Sequence, residues 1–290
     1  MQGLTFMDDT FVSIILPTYN RAGFLPTALD SVFAQTWPLW ELVVIDDGST
    51  DGTEAVLDQY DDPRMVRLRQ ENRGVSAARN TGIRASSGAM IALLDSDDQW
   101  LPDKLERQLA YMRRHGYDIC QTDEIWIRNG RRVNQKNKYA KPEGWFFEES
   151  LKMCLISPSC AMFTRRAWAD IGPFDEAMPS CEDYDMWLRA CLRYPVGLVA
   201  EPLTVKHGGR PDQLSNCVPC ADEHRIRALL KILQGGGLDA RQRAAALDEL
   251  ERKVAIYTQG CEKRGRTEDA QRVWNLFCMA REGKEVPLNS

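Results

Sequence analysis

The sequence predicts an α/β fold, in which a mostly parallel sheet with helices on both faces is followed by an α-helical C-terminal extension. Two observations lead to this prediction. Short apolar runs typical of buried strands alternate with helical apolar stripes through most of the chain before Ala221. From Ala221 onward the apolar residues follow helical spacing only. We therefore expect two domains, residues 1–220 holding the sheet and residues 221–290 forming the helical extension.

The first half of the chain alternates strands and helices. The predicted strands are residues 11–16, 40–45, 65–68 and 89–94, and helical stripes follow them from about Leu25, Thr53, Ala77 and Leu101. Polar loops follow three of these strands, at residues 17–20, 46–52 and 95–98. Because the carboxyl ends of parallel strands lie at one edge of a sheet, where α/β folds bind ligands, we expect these loops to converge.

The second half is less regular. Asn129-Gly130 favours a hairpin turn, residues 160–164 favour a strand and residues 166–171 a short helix. Ser180 is predicted to cap the next helix, whose first turn carries Glu182 and Asp183. The polar and aromatic stretch 135–157 is the expected lid region. In the extension, Asp239 and Gln242 predict a capping box.

The composition is that of an ordinary soluble globular protein. The chain has 290 residues, of which 43% are hydrophobic and 27% are charged. The net charge of −5 gives no general attraction to nucleic acid, so no nucleic-acid partner is expected. No run is long enough to span a membrane, and the start of the chain lacks the pattern of a signal peptide. Together with nine cysteines read as reduced thiols, this predicts a cytoplasmic location, with the inner face of the membrane left open.

The loop after the fourth strand carries the strongest chemical signal. Asp95, Asp97 and Asp98 place three carboxylates within four residues, and such a group repels itself unless a cation is near. Carboxylates at the end of a buried strand suit a divalent cation that also binds phosphate oxygens. The alternative is a turn, because Asp and Ser also cap helices and a helix begins shortly afterwards.

Five motifs, taken in order, resemble the family 2 glycosyltransferases of the GT-A fold. They are VSIILPTYNR, VVIDDGSTDGT, ENRGVSAARNTG, IALLDSDD and CEDYDMWLR, and they cover the chain from Val12 to about His207. The resemblance implies transfer of a sugar from a nucleotide diphosphate donor to an acceptor hydroxyl with inversion, dependent on Mg²⁺ or Mn²⁺. A UDP-sugar is the favoured donor.

The resemblance also implies roles for individual residues. The expected nucleotide-sugar-binding residues are Pro17, Thr18, Tyr19, Asn20, Asp47, Arg79, Asp95, Ser96 and Asp98. Asp97 is the expected metal ligand and His207 a further one. Asp183 is the expected catalytic base, with Glu182 beside it on the acceptor side. Four of these residues also have a simpler explanation. Asn20 and Asp47 are typical of turns, Arg79 could be a solvated surface residue and His207 an ordinary loop residue.

Several alternatives stay open at this point. A sugar nucleotidyltransferase would share the sheet and the metal, but PTYNRAGF lacks its glycine-rich basic loop. A catalytically inactive nucleotide-sugar-binding protein is the second rival. Cys217, Cys220 and His224, with His207, form a candidate zinc site that would withdraw His207 from the nucleotide. Residues 135–157 are also the expected acceptor region, and the acceptor could be a glycan, a lipid-linked molecule, a protein or a small molecule. Both peripheral membrane association and a homodimer through the helical tail are compatible with the sequence.

Overall fold

The computed structural model describes residues 9–134, 136, 139–209 and 221–288. The strands are β1 (Val12–Thr18), β2 (Trp40–Asp46), β3 (Met65–Arg69), β4 (Met90–Leu93), β5 (Asp98–Trp100), β6 (Ile119–Arg128), β7 (Arg131–Val133), β8 (Ala161–Thr164) and β9 (Val196–Gly208). The helices are α1 (Leu25–Phe33), α2 (Thr53–Leu57), α3 (Val75–Ala85), α4 (Lys104–His115), α5 (Phe147–Ser150), α6 (Arg165–Ile171), α7 (Glu182–Arg193), α8 (Ala221–Gln234), α9 (Ala240–Glu262) and α10 (Thr267–Arg281). The predicted α/β class is confirmed.

One sheet contains all nine of these strands. Its order is β3-β2-β1-β4-β8-β6-β9-β5, and β7 pairs with β6. The strands β1 to β4 are parallel to one another, as the sequence predicts. Beyond β4 the sheet is mixed, because β8 runs antiparallel to both β4 and β6 while β6 and β9 are parallel. The start of β8 therefore lies at the same edge as the ends of β4 and β6.

The central strands are buried on both faces. Alternate residues of β1 enter two different apolar clusters, with Ile14 and Leu16 in one and Ile15 in the other. The same alternation occurs in β2 and β4, as expected of strands covered by helices on both sides. Because both faces of these strands are covered, the loops that follow them emerge at the edge of the sheet.

Two local predictions are settled by backbone geometry. The Asn129-Gly130 hairpin is confirmed, since both residues have positive φ angles, of 49° and 72°, between the paired strands β6 and β7. The prediction that Ser180 caps a helix is wrong. The residue before α7 is Cys181, which has a φ of 59° and provides no capping hydrogen bond. The start of α7 thus has no side-chain cap.

The C-terminal helices share a core with the rest of the chain. Leu230, Val254 and Phe277 belong to the same apolar cluster as Trp187 of α7. Helix α8 packs against α7, and α9 packs against α5. The predicted capping box at the start of α9 is confirmed. In the part of the chain that the structure describes, no helix is long and apolar enough to cross a membrane. The candidate zinc residues Cys217 and Cys220 lie outside the described residues.

Candidate active site

The loops after β1, β2 and β4 meet at one edge of the sheet. The N–H of Asp47 donates to the carbonyl of Thr18 at 2.9 Å, and that of Leu94 donates to the carbonyl of Ile15 at 3.0 Å. The first two loops are joined again through Asn20, whose side-chain oxygen accepts from the N–H of Thr50 at 2.8 Å. The ends of these parallel strands therefore form one continuous polar rim.

The first loop presents a single large ring to solvent. Pro17 and Thr18 are buried as the last residues of β1, and the side chain of Asn20 is occupied by the second loop. Tyr19 is 45% exposed. Of these four residues, Tyr19 has the ring surface needed to stack on a flat ligand.

Asp47 anchors the loop that precedes α3. Its Oδ1 accepts from the side-chain amide of Gln70 at 2.6 Å and from the N–H of Arg73 at 3.1 Å. Its Oδ2 accepts from the N–H of Gly74 at 2.8 Å. Because a carboxylate can accept about four hydrogen bonds, roughly one position remains for a ligand N–H.

Arg79 connects two acidic groups that lie far apart in sequence. It is only 3% exposed, and its two terminal nitrogens donate to Asp95 Oδ1 at 2.8 Å and Glu182 Oε1 at 2.7 Å. Burial opposes its charge, but the two carboxylates outweigh burial and raise the pKa of Arg79 above its ordinary value. The sequence predicted neither contact. Arg79 thus fixes the spacing between the loop after β4 and the start of α7.

Ser159 holds the acidic loop from the other side. Its hydroxyl donates to Asp98 Oδ2 at 2.7 Å and accepts from the N–H of Asp95 at 3.1 Å. The backbone N–H of His207 donates to Asp98 Oδ1 at 3.3 Å. Burial, and then Asp97 and Asp95, raise the pKa of Asp98 while Lys206 opposes them. Both carboxylate oxygens of Asp98 are therefore used inside the protein, and Ser96 next to it is buried as well.

Asp97 and His207 line the same cavity, which has a volume of about 230 Å³. The pair combines a carboxylate and an imidazole, which suit Mn²⁺, and the carboxylate also suits Mg²⁺. Over the described ranges, no three acidic, histidine or cysteine side chains form a metal-binding group. The residues fit a cation that takes two protein ligands and completes its coordination with phosphate oxygens and water.

The two acids at the start of α7 have different environments. Glu182 is 5% exposed and pairs with Arg79. Burial, followed by the neighbouring Asp183, raises the pKa of Glu182, whereas Arg79 opposes the shift. Asp183 is only partly buried, and its Oδ1 accepts from the N–H of Tyr184 at 2.7 Å. Asp183 is thus the more accessible acid, and Glu182 is held inside the protein.

Three residues near these acids were missed by the sequence analysis. They are Cys154, Ser159 and Lys206, which reach the site from the segment before β8 and from β9. Lys206 donates to Ser157 Oγ at 2.8 Å, and Asp98 and Glu124 raise its pKa although burial opposes its charge. No spacing in the sequence signals these contacts. These contacts depend on the antiparallel orientation of β8 between β4 and β6.

The expected lid region is divided between two places. Gly144 forms a β-bridge with Val196, at the start of β9 and therefore at the opposite edge of the sheet from the acids. Trp145, which is 65% exposed, follows directly. After α5 the thiol of Cys154 reaches Asp183. Among the described residues of this region, 154–157 therefore include contacts to the site.

The chain matches the family described as Glycosyl transferase family 2 over residues 13–172. UDP-Glc:alpha-D-GlcNAc-diphosphoundecaprenol beta-1,3-glucosyltransferase WfgD of Escherichia coli is 35% identical over 183 residues, which cover 63% of this chain and 70% of that protein. The putative teichuronic acid biosynthesis glycosyltransferase TuaG of Bacillus subtilis is 35% identical over 163 residues, which cover 55% of this chain and 64% of that protein.

A solved structure shows the same fold over nearly the whole length. The structure of S. aureus TarS 1–349 in complex with UDP-GlcNAc has a TM-score of 0.64 and 19% sequence identity, and the match covers 96% of this chain and 93% of that chain. This likeness identifies the GT-A type of α/β fold and includes the C-terminal helices. Motifs, family match and fold agree, and the chain belongs to glycosyl transferase family 2.

Proposed function

We propose that this protein transfers a sugar from a UDP-sugar donor to an acceptor hydroxyl, with inversion at the anomeric carbon, and that it requires Mg²⁺ or Mn²⁺. The main support for this proposal is that Arg79 forms ion pairs with two acids. One buried guanidinium binds Asp95 of the donor-side loop and Glu182 of the acceptor-side pair. Direct displacement needs a leaving-group site and a base held in fixed relation, and this arrangement supports it.

The donor site would lie along the polar rim. Tyr19 offers a ring for the base, and Asp47 retains about one acceptor position for a uracil N–H. Asp95, Ser96 and Asp98 line the end of β4, where the ribose and diphosphate would lie. The UDP-GlcNAc bound in the TarS structure supports a uridine donor, since that protein shares the fold.

The cation would be held by Asp97 and His207 at the donor diphosphate. When bound, it would balance the negative charge of the departing nucleotide. The partly buried loop acids already have two protein cations nearby, Arg79 and Lys206. These fixed charges hold the loop in place, so the diphosphate and the cation can bind without rearranging it.

Asp183 would act as the base on the acceptor side. Its carboxylate takes the proton of the acceptor hydroxyl as the hydroxyl oxygen attacks the anomeric carbon. The bond between that carbon and the diphosphate oxygen breaks, and its electron pair leaves with the UDP. Glu182 shapes the pocket and stays bound to Arg79. Since attack comes from the face opposite the leaving group, the product has the inverted configuration.

The acceptor that we propose is a hydroxyl of a lipid-linked glycan, presented at the cytoplasmic face of a membrane. The name of the E. coli relative describes an acceptor sugar on a diphosphoundecaprenol, and this supports the proposal. The acceptor oxygen would approach the accessible side of Asp183, whose carboxylate is also contacted by Cys154.

The test uses UDP, GDP, ADP and dTDP sugars with the purified protein, in Mn²⁺, Mg²⁺ or EDTA. We expect thermal stabilisation and slow donor hydrolysis with one or more UDP-sugars plus metal, and neither in EDTA. Transfer to a lipid-linked sugar, followed by NMR of the product, would then give the anomeric configuration. Binding of no UDP-sugar under any of these conditions would refute the proposed donor, and retention of configuration would refute direct displacement.

A further inference from the structure

Three residues of the segment 154–159 contact charged side chains of the candidate site. Cys154 Sγ lies 3.4 Å from Asp183 Oδ2, Ser157 Oγ accepts from Lys206, and Ser159 Oγ donates to Asp98. One short segment therefore touches both the acceptor-side acid and the donor-side loop. Of the three contacts, that of Cys154 falls on the acid to which we assign the base role.

Each carboxylate oxygen of Asp183 has one hydrogen-bond donor. The backbone N–H of Tyr184 reaches Oδ1 at 2.7 Å, and the thiol of Cys154 reaches Oδ2. The thiol also lies 3.2 Å from the carbonyl oxygen of Ile156. A thiol has one proton, and the charged carboxylate is the stronger acceptor of the two. Donors on both oxygens fix the rotation of the carboxylate and leave its other lone pairs for a ligand.

The thiol is held in place by neighbouring anchors. The hydroxyl of Tyr184 donates to the carbonyl of Leu151. Lys253 of α9, itself buried, donates to the carbonyl of Lys152 at 3.1 Å. Both anchors precede Cys154 by only a few residues, so its side chain has little freedom to move away from Asp183.

The thiol is suited to donate and unsuited to react. Burial, and then the charge of Asp183, raise the pKa of Cys154 well above its ordinary value, so the S–H stays protonated at neutral pH. Other charged or titratable groups face this corner, among them Glu182, Cys181 and Tyr184 beside Asp183, Lys206 on β9 and Arg225 on α8.

We propose that Cys154 is a positioning residue for Asp183, an inference that rests on the proposed role of Asp183 as the base. A weak donor such as a thiol orients the carboxylate with little loss of its basicity, because donors to the charged form lower the pKa of an acid in proportion to their strength. A hydroxyl at the same place would orient the carboxylate equally but make it a weaker base.

The test compares Cys154→Ala and Cys154→Ser with Cys278→Ala, a control that removes a half-buried thiol from α10. Loss of the donor in Cys154→Ala should lower kcat about tenfold, the lower end of the effect expected for a hydrogen bond to a charged group, with KM for the donor unchanged. The acidic limb of its kcat–pH profile should move to higher pH. Cys154→Ser should keep most of kcat and move the limb to lower pH, and the control should match the wild type.

Other outcomes would overturn the proposal. Equal losses in the alanine and serine variants, or a weakened donor KM with an unmoved pH limb, would mean that Cys154 serves packing alone. Wild-type kinetics in Cys154→Ala would mean that it serves neither purpose.

A second measurement needs no activity and separates this inference from the proposed function. The S–H stretching band of Cys154 is isolated as the infrared difference between wild type and Cys154→Ala, and again in the background of Asp183→Asn. A shift of the band to higher frequency in that background is expected, because the charged acceptor is gone. An unchanged band would show that the thiol donates to Ile156 and would refute the contact. If the wild-type protein transferred no sugar but the band shifted, only the proposed function, and with it the base role of Asp183, would be refuted.

Discussion

Nη1 of Arg79 lies 2.7 Å from Oε1 of Glu182, although 103 positions separate the two residues in sequence. The other end of the same guanidinium binds Asp95, and Arg79 also lies over the ring of Phe174. In the described part of the chain, Nε of Arg79 is buried without a hydrogen-bonding partner. The side chain thus binds both acids, and it joins the proposed donor-side loop to the proposed acceptor-side pair.

Replacing Arg79 by Met should destabilise the protein. The change leaves the buried carboxylate of Glu182 without its cation, and breaking a buried pair in this way typically costs about 3–5 kcal/mol of unfolding free energy. Urea denaturation measures the change. The control is Arg166→Met, which removes an arginine that is 65% exposed and pairs with Asp118, and should cost under about 1 kcal/mol. If the two variants were equally stable, the buried pair would have no special importance.

Asp183→Asn should leave UDP affinity near normal and lower turnover at least 100-fold, because a positioned base contributes roughly 10²–10⁴ in rate. Asparagine keeps the size and most of the hydrogen bonding of the carboxylate. Glu182→Gln is the matched comparison and should be milder. Steady-state transfer with calorimetry of UDP binding gives both numbers, and retention of more than about a tenth of wild-type turnover by Asp183→Asn would move the base elsewhere.

Asp97→Ala and His207→Ala should each weaken UDP binding in Mn²⁺ while leaving the weaker binding in EDTA unchanged. Each change removes one of the two side chains expected to hold the cation. Asp103→Ala, at the start of α4, removes an acid outside this cavity and serves as the control. Titration calorimetry in the two buffers separates the effects. A Mn²⁺-dependent affinity that survives both changes would rule out this pair as metal ligands.

The buried pair of Glu124 and Lys141 predicts a loss of stability in acid. Burial favours the neutral acid, but Lys141 and Lys206 outweigh burial and lower the pKa of Glu124 to about 2 from 4.5. Its stabilisation is therefore complete above about pH 4.5 and disappears as the pH falls through the folded value. Glu124→Gln should be less stable than wild type by about 3 kcal/mol at pH 6, and the two should converge towards pH 2.

Denaturation at a series of pH values measures this convergence. Glu201→Gln is the control for Glu124→Gln, because Glu201 is exposed and its change should leave the pH dependence of stability as in wild type. A constant gap between Glu124→Gln and wild type down to pH 2.5 would contradict the lowered pKa.

Lys104→Met should stabilise the protein. Lys104 is 0% exposed, lies 3.7 Å from the ring centre of Trp100, and within the described residues its Nζ has no hydrogen-bonding partner. Burial lowers the pKa of Lys104 to about 7 from 10.5. Between these pH values the unfolded state binds a proton that the folded state does not, and this destabilises the folded state. Methionine has similar volume and no polar end, and we expect a gain of about 1–3 kcal/mol at pH 8.

The pH dependence of this gain provides the check. The advantage of Lys104→Met over wild type should widen as the pH falls from about 10.5 to 7 and then become constant, because protonation of the unfolded lysine is what destabilises the wild type. A destabilised Lys104→Met variant would show that the amine has a favourable partner.

The sequence predicted features that depend on local pattern. The acids at residues 95–98 follow a buried parallel strand, so their place at the edge of the sheet could be inferred from β4 alone. The Asn129-Gly130 turn was predictable because it needs positive φ angles, and the capping box of α9 because the first N–H groups of a helix need acceptors. Each of these features is determined by a few consecutive residues.

Long-range contacts and strand direction could not be predicted in the same way. Apolar patterning does not state whether a strand runs parallel or antiparallel, and the reversal of β8 is what brings Ser159 to Asp98, 61 positions away. The contact of Arg79 with Glu182, 103 positions away, is likewise not signalled by local pattern. At Ser180 a local rule failed, because the residue directly before α7 is Cys181, in a left-handed conformation, and not the serine.

The hydrogen bond from Lys253 to the carbonyl of Lys152 limits how this enzyme can be re-engineered. The C-terminal helices are a convenient part to exchange between relatives, because the whole family match, residues 13–172, lies before them. Yet α9 holds the segment that leads to Cys154, so foreign helices would shift the residues that contact Asp183. A workable chimera should therefore exchange residues 146–157 together with the helices that hold them.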